Sequence, residues 1–174
     1  MDITIVIPDF KSPRLDEVIN NALSLNPKKI IVSNFETEFT KKIENNYEGD
    51  KIVSFLNFKE KKNPGDYRNE GASHAQTKYI LFLDSDVRIN HKTINFINDK
   101  INNDFDEKKI YWGLYSSYSE NIFSKIQQQI LRYRFSNIFF KKAIDRGKPY
   151  CGQSSHFLIA RETFNEIGGF NPYL

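Results

Sequence analysis

Residues 3–7, ITIVI, form an apolar run closed by Pro8, which reads as a strand buried on both faces and ending where the ladder loses an N–H. Leu15, Val18, Ile19, Ala22 and Leu23 then recur at helical spacing, with Ser12 as the expected N-cap and Pro13 at the first helical position. Asn26-Pro27 ends that helix, and Ile30–Val32 begins a second β-branched run that closes a β-α-β unit. A weaker helix through Phe39 and Ile43 and a strand from Ile52 to Leu56 repeat the unit. The polar stretch KEKKNPGD predicts a loop. After it, Gly71, Ala72 and Ala75 within Tyr67–Thr77 predict a helix packed closely on a sheet. Tyr79–Leu83 is the most strand-like run and ends in Asp84-Ser85-Asp86.

The second half predicts a helix through Ile94, Ile97 and Ile101, a strand around Ile110–Tyr115 and a long helix from about Asn121 to Phe140. A strand follows at Phe157–Ala160, then a short helix from Arg161 to Ile167 that Gly168-Gly169 ends in a left-handed cap. Alternating strands and helices predict an α/β fold with a mainly parallel, doubly wound sheet and helices on both faces. Ligands of such sheets sit beyond the carboxyl ends of the strands, and Pro8, Asn34 and Asp84 lie at such ends.

The length of 174 residues predicts one domain over 1–174. A balance of 25 Lys+Arg against 22 Asp+Glu is too even to announce a nucleic-acid binder, and no nucleic-acid partner is expected. A single cysteine, Cys151, excludes an internal disulfide and a cysteine-zinc site, so any metal must be held by oxygen. No apolar run approaches the ~18 residues of a membrane span, and the first strand begins too early for a signal peptide, which together predict a cytoplasmic protein. Charge is uneven along the chain: between Lys125 and Lys148 seven basic residues face Asp145 alone. Aromatic and aliphatic residues interleave with them, as on a helix lying against an anionic membrane. The alternative is a helix packed on the sheet with its cations snorkelling into water.

Two carboxylates one residue apart after a buried strand, Asp84 and Asp86, can hold a hard divalent cation, Mn²⁺ or Mg²⁺, beside a diphosphate. Taken alone, Asp-x-Asp is equally a solvated turn or a helix-capping pair. Its setting changes that reading. Arg68-Asn69-Glu70-Gly71, Ala75 and YILFLDSD resemble the core of the family 2 glycosyltransferases, which have the GT-A fold. ITIVIPDF, KKIIVSN and SSHFLIARETFNEIGGFNPYL resemble three further family segments in the same order.

The resemblance implies a metal-dependent, inverting transfer of a sugar from a nucleotide-diphosphate sugar, a UDP-sugar being favoured, to a hydroxyl on a glycan or lipid-linked acceptor, in surface glycan synthesis. It places Pro8, Phe10, Asn34, Arg68, Asn69, Asp84, Ser85 and Asp86 around the donor. Asp84 lies near ribose and metal, Asp86 on the cation, and Gly152, Gln153 and Ser154 border the acceptor. Asn34 stands where the family usually has Asp, Lys11 replaces its usual Asn and Ser12 its frequent Glu. The family's general base lies beyond its Gly-Gly-Phe segment and has no match before Leu174, so a domain truncated before that motif is expected and the catalytic base is unassigned. Glu162 and Glu166 are the nearest acids and read as a solvated helix face. The competing reading is a non-catalytic sugar-nucleotide-binding or scaffold domain. The basic segment would seat either one on the inner membrane face.

Overall fold

The computed structural model describes residues 1–113, 121–133 and 155–171. The chain divides into two units, Met1–Trp112 with Ser154–Leu174, and Gly113–Gln153.

In the first unit the apolar runs become the strands β1 (Ile3–Asp9), β2 (Lys29–Phe35), β3 (Val53–Phe58) and β4 (Tyr79–Leu83), separated by helices α1 (Leu15–Leu23), α2 (Glu38–Asn45) and α3 (Pro64–Ser73). Helix α4 (His91–Asn103) and strand β5 (Tyr111–Trp112) follow, and after the second unit come β6 (His156–Ala160) and α6 (Arg161–Glu166). One six-stranded sheet runs in the order β3-β2-β1-β4-β6-β5. The first four strands are parallel, whereas β6 pairs antiparallel with both β4 and β5.

Strand periodicity divides the core in two. Ile3, Ile5, Ile7, Leu81 and Leu83 join Leu15, Val18 and Ile19 of α1, Ile43 of α2 and Ile97 of α4 in one cluster. Val6, Ile80, Phe82, Phe157 and Ile159 join Ala72 of α3 and Phe164 of α6 in the other. Helices therefore cover both faces, as the two-sided apolar runs require. Helix α3 approaches most closely: a Cβ on Gly71 would lie 2.4 Å from Val6 Cγ1, so the absence of a side chain sets that distance.

The structure differs from the sequence expectation at four boundaries. Strand β1 continues through Pro8 to Asp9, because pairing with β4 stops at Val6 while pairing with β2 runs on to Asp9, leaving Pro8 with one neighbouring strand. Helix α1 takes Arg14 as its N-cap, without a side-chain bond there, and Ser12 stands two residues earlier, its hydroxyl accepting from the Arg14 N–H at 3.3 Å and donating to Ser85 O. Helix α3 starts inside the expected loop, where Asn63 accepts from Asp66 N and Pro64 takes the first turn. It also ends at Ser73 rather than Thr77. Gly168 and Gly169 adopt φ of 79° and 72°, the left-handed ending anticipated for α6.

In the second unit the described helix α5 (Ile122–Tyr133) covers the first part of the long helix expected to Phe140, whose remainder lies outside the described residues. So does the expected strand beyond Gly113.

Candidate donor site

Beyond the carboxyl ends of β1 and β4 lies an open cleft of about 940 Å³. Its walls are the loop after β1, the β3–α3 connection with the start of α3, and the turn after β4. The two strands are neighbours, so their terminal loops converge although they lie far apart in sequence.

The β1 loop is organised by Asp9. This residue is 2% exposed, and its carboxylate accepts from the backbone N–H of Lys11 at 3.1 Å and of Ser12 at 3.0 Å. Burial pushes its carboxyl above the ordinary range, while bonds from the Ser85 side chain and from the backbone of Ser12, Lys11 and Phe10 draw it back. The tight turn carries Lys11 to φ 61°, a left-handed conformation uncommon for a residue with a Cβ. The Ser12 hydroxyl, which accepts from the Arg14 N–H at 3.3 Å, donates to Ser85 O at 2.9 Å.

Phe10 leaves this turn 47% exposed, its ring 5.7 Å from that of Phe35 and its face 4.6 Å from the Lys61 ammonium. Lys61, Lys62 and Tyr67 complete that side of the cleft.

On the opposite side, Arg68 projects from the buried face of α3 and donates to Asp84 Oδ1 at 2.5 Å, with the two side chains 6% and 28% exposed. Burial raises the Asp84 carboxyl; the charge and hydrogen bond of Arg68 lower it, and the neighbouring Asp86 raises it again. Asp86 is exposed at the rim and enters no ion pair among the described residues. Behind Arg68, the Phe170 ring lies 5.3 Å from the guanidinium carbon. Asn69 is bonded to the Phe170 backbone in both directions, each at 2.9 Å.

Pro8, Phe10, Arg68, Asp84, Ser85 and Asp86 thus share one cleft. Asn69 and Asn34 do not line it. The Asn69 amide secures the segment after Gly169, and the Asn34 side chain is fully buried, with Nδ2 donating to Phe35 O at 3.3 Å and Oδ1 without a partner. Gly152, Gln153 and Ser154 lie outside the described residues. Glu162 and Glu166 are exposed on α6, away from the cleft lining. Sequence reasoning missed Asp9; the signal that could have found it is an Asp at a strand end with Ser three residues on, the pattern of a side-chain-closed turn.

The donor set suits a hard cation. Asp84 and Asp86 offer only carboxylate oxygens, and one of the two is solvent-facing and unpaired among the described residues. Among the described residues no group of three or more His, Cys, Asp or Glu side chains is placed to hold a metal. A cation here would be shared between this pair and a ligand's phosphates.

A parallel sheet with an antiparallel strand inserted beside β4, and a carboxylate turn facing a proline-aromatic loop, is the GT-A architecture. The sequence profile of Glycosyl transferase family 2 matches residues 4–168, and the chain belongs to that family. No curated protein sequence matches it. Among solved structures, S. aureus TarS 1-349 is similar with a TM-score of 0.72 at 16% identity, over 100% of this chain and 51% of that one. The mannosyltransferase PcManGT from Pyrobaculum calidifontis, in complex with GDP-Man and Mn²⁺, gives 0.67 at 14% identity over 98% and 48%. S. aureus TarS 1-349 in complex with UDP-GlcNAc gives 0.64 at 17% identity over 96% and 47%. The chain spans about half the length of these proteins.

Proposed function

We propose that the cleft binds the nucleotide-diphosphate sugar of an inverting glycosyltransferase, with a UDP-sugar as donor, Mn²⁺ or Mg²⁺ as cofactor and a hydroxyl of a glycan or lipid-linked acceptor as target, in surface glycan synthesis. The observation that carries this reading is the convergence of Phe10, the Arg68–Asp84 pair and the free carboxylate of Asp86 on one cleft in a chain of this family. Asp84 and Asp86 would hold the cation, which neutralises charge developing on the departing diphosphate. Phe10 supplies an aromatic wall for the nucleoside. Asn34 is assigned to the base from the family resemblance; its unpartnered Oδ1 is buried behind the wall, one residue from the Phe35 ring that packs on Phe10, and meets a base only if that wall shifts. Arg68 favours the ionised form of Asp84 and aims it, and Asn69 holds Phe170 behind it. Gly152, Gln153 and Ser154 are assigned to the acceptor side from the family resemblance.

A second reading, a non-catalytic sugar-nucleotide-binding domain, is favoured by the carboxylates lining the cleft. Asp9 and Asp84 are both engaged and Asp86 is committed to the cation, so none of the three is a spare general base. For either reading, helix α5 offers a seat at the cytoplasmic face of an anionic membrane. Ile122, Phe123, Ile126, Ile130 and Tyr133 are exposed and fall within about 100° of arc at helical spacing.

Calorimetry with a panel of nucleotide sugars, with Mn²⁺ or with chelator, tests the site. UDP should bind with Mn²⁺, and Asp86→Ala should remove most of the metal-dependent affinity while leaving the unfolding temperature unchanged, because an exposed turn carboxylate supports no core. Equal affinity with and without chelator in the parent protein would show the metal assignment to be wrong.

A further inference from the structure

We propose that Asp9 is a positioning residue: with Ser12 it clasps the loop after β1 to the Asp84-Ser85-Asp86 turn, holding the aromatic wall at Phe10 and the carboxylate of Asp86 at one working separation. The inference rests on the reading of the cleft as a donor site, and it assigns a role to a residue that lies outside the proposed ligand contacts.

Three observations carry it. The Asp9 carboxylate is almost wholly withdrawn from water, and a buried carboxylate persists only where its oxygens are hydrogen-bonded. Here the donors are the N–H groups of Lys11 and Ser12, so the carboxylate closes the turn that presents the Ser12 hydroxyl. Next, the Ser12 hydroxyl donates to Ser85 O at 2.9 Å, across 73 residues of sequence, so Ser85 is gripped through its backbone. Ser85 is itself buried and stands between Asp84 and Asp86, and fixing it fixes where Asp86 emerges. Finally, Lys11 is held at φ 61°, a conformation that a residue with a Cβ keeps only where its surroundings over-determine it. Without the Asp9 acceptor, the Lys11 and Ser12 N–H groups have no partner in the turn. Lys11 is then free to return to negative φ, carrying the adjacent Phe10 with it.

The consequence is specific to a ligand that spans both walls. A nucleoside diphosphate touches the Phe10 side with its base and, through a cation, the Asp86 side with its phosphates. The two contacts reinforce each other only while the walls are held at a fixed distance, because a loosened wall must be ordered again on binding. A nucleoside alone touches one wall and gains nothing from the clasp.

The test is calorimetry on the full chain with three probes: UDP with Mn²⁺, UDP with chelator, and uridine. The variants are Asp9→Asn, which keeps the shape but loses one acceptor oxygen and the charge, and Ser12→Ala, which removes the loop-to-turn bond together with the local bond from the Arg14 N–H. In both, the factor by which Mn²⁺ tightens UDP binding should fall by about tenfold, while uridine affinity stays within about twofold of the parent. Rescue by Ser12→Thr, which restores a hydroxyl, should return the factor. A factor equal to the parent's in both variants overturns the proposal. So does a parallel loss in all three arms that tracks the unfolding temperature, which would make Asp9 structural only. Should Asp9→Asn not fold, Ser12→Ala decides by itself, since it deletes one long-range bond and one local bond from a half-buried hydroxyl. A parent protein that binds UDP equally with Mn²⁺ and with chelator overturns the donor-site reading and the clasp with it, a result separable from a parent with metal-enhanced binding whose variants keep it.

Discussion

Replacing Arg68 by methionine should be among the most damaging single changes in the cleft, and its cost should depend on pH. The guanidinium is buried beside Asp84, and removing it leaves a carboxylate only 28% exposed without its counter-charge. Breaking a buried ion pair in this way typically costs about 3–5 kcal/mol, and the partial access of water to Asp84 puts the expected loss at about 3 kcal/mol near neutral pH. For a chain of this size that lowers the unfolding temperature by roughly 6–12 °C. The pH dependence follows from the direction of the Asp84 shift. Burial and Asp86 raise its carboxyl, and the two influences that lower it both come from Arg68. In Arg68→Met only the raising influences remain, so the folded value moves further above the unfolded 3.8. A group raised in this sense destabilises the fold as pH climbs from the unfolded value through the folded one. The deficit of the variant should therefore be largest near neutrality and shrink towards about 1 kcal/mol in acid, as the carboxyl takes up its proton. Arg68→Met combined with Asp84→Asn should recover at least about half of the loss, since it removes the stranded charge. Urea unfolding of the parent and the variants at both pH values measures all of this. A deficit that is the same at both, or a double variant no more stable than Arg68→Met, refutes the argument.

Two other expectations follow from packing and from charge. Gly71→Ala should destabilise by about 2 kcal/mol despite alanine's better helix propensity, because its Cβ would meet Val6 Cγ1 at 2.4 Å and Ser33 Oγ at 3.1 Å, and a buried β-branched side chain cannot swing away; a variant as stable as the parent would contradict the close approach of α3. The segment containing α5 should sediment with vesicles rich in anionic lipid and less with neutral ones, the difference fading as salt shortens the Debye length from ~8 Å towards ~3 Å. Equal partition into both would return α5 to a packed helix.

Legibility in the sequence follows the range of the physics involved. The inner strands of the parallel half can be read because they are buried on two sides and must be largely apolar, a demand written in a short run of consecutive residues, whereas the edge strand β3 is only partly buried. The same holds for the Gly168-Gly169 ending, whose left-handed φ values a local motif announces. Pro8 misleads as a strand terminator, because what a proline does to a strand depends on how many neighbours the strand has at that point. The end of β4 at Asp84 is legible, and with it Asp86 and Ser85, since a charged pair directly after a buried run must emerge into water where the strand stops.

What the sequence by itself determined, then, is the set of apolar strands and helix faces, and the chemistry available at the strand ends. Only the tertiary structure decided which of those ends meet. It inserted β6 antiparallel between β4 and β5, turned Arg68 onto Asp84, spent the Asn69 amide on Phe170 and tied the Ser12 hydroxyl to Ser85. It also buried Asp9 in the lining of the cleft and left Asn34 behind the cleft wall. The reason is physical. Periodicity reports how much water each residue must avoid, which is a property of short stretches. A hydrogen bond or ion pair between residues 16 to 101 positions apart exists only once the sheet has brought their loops together.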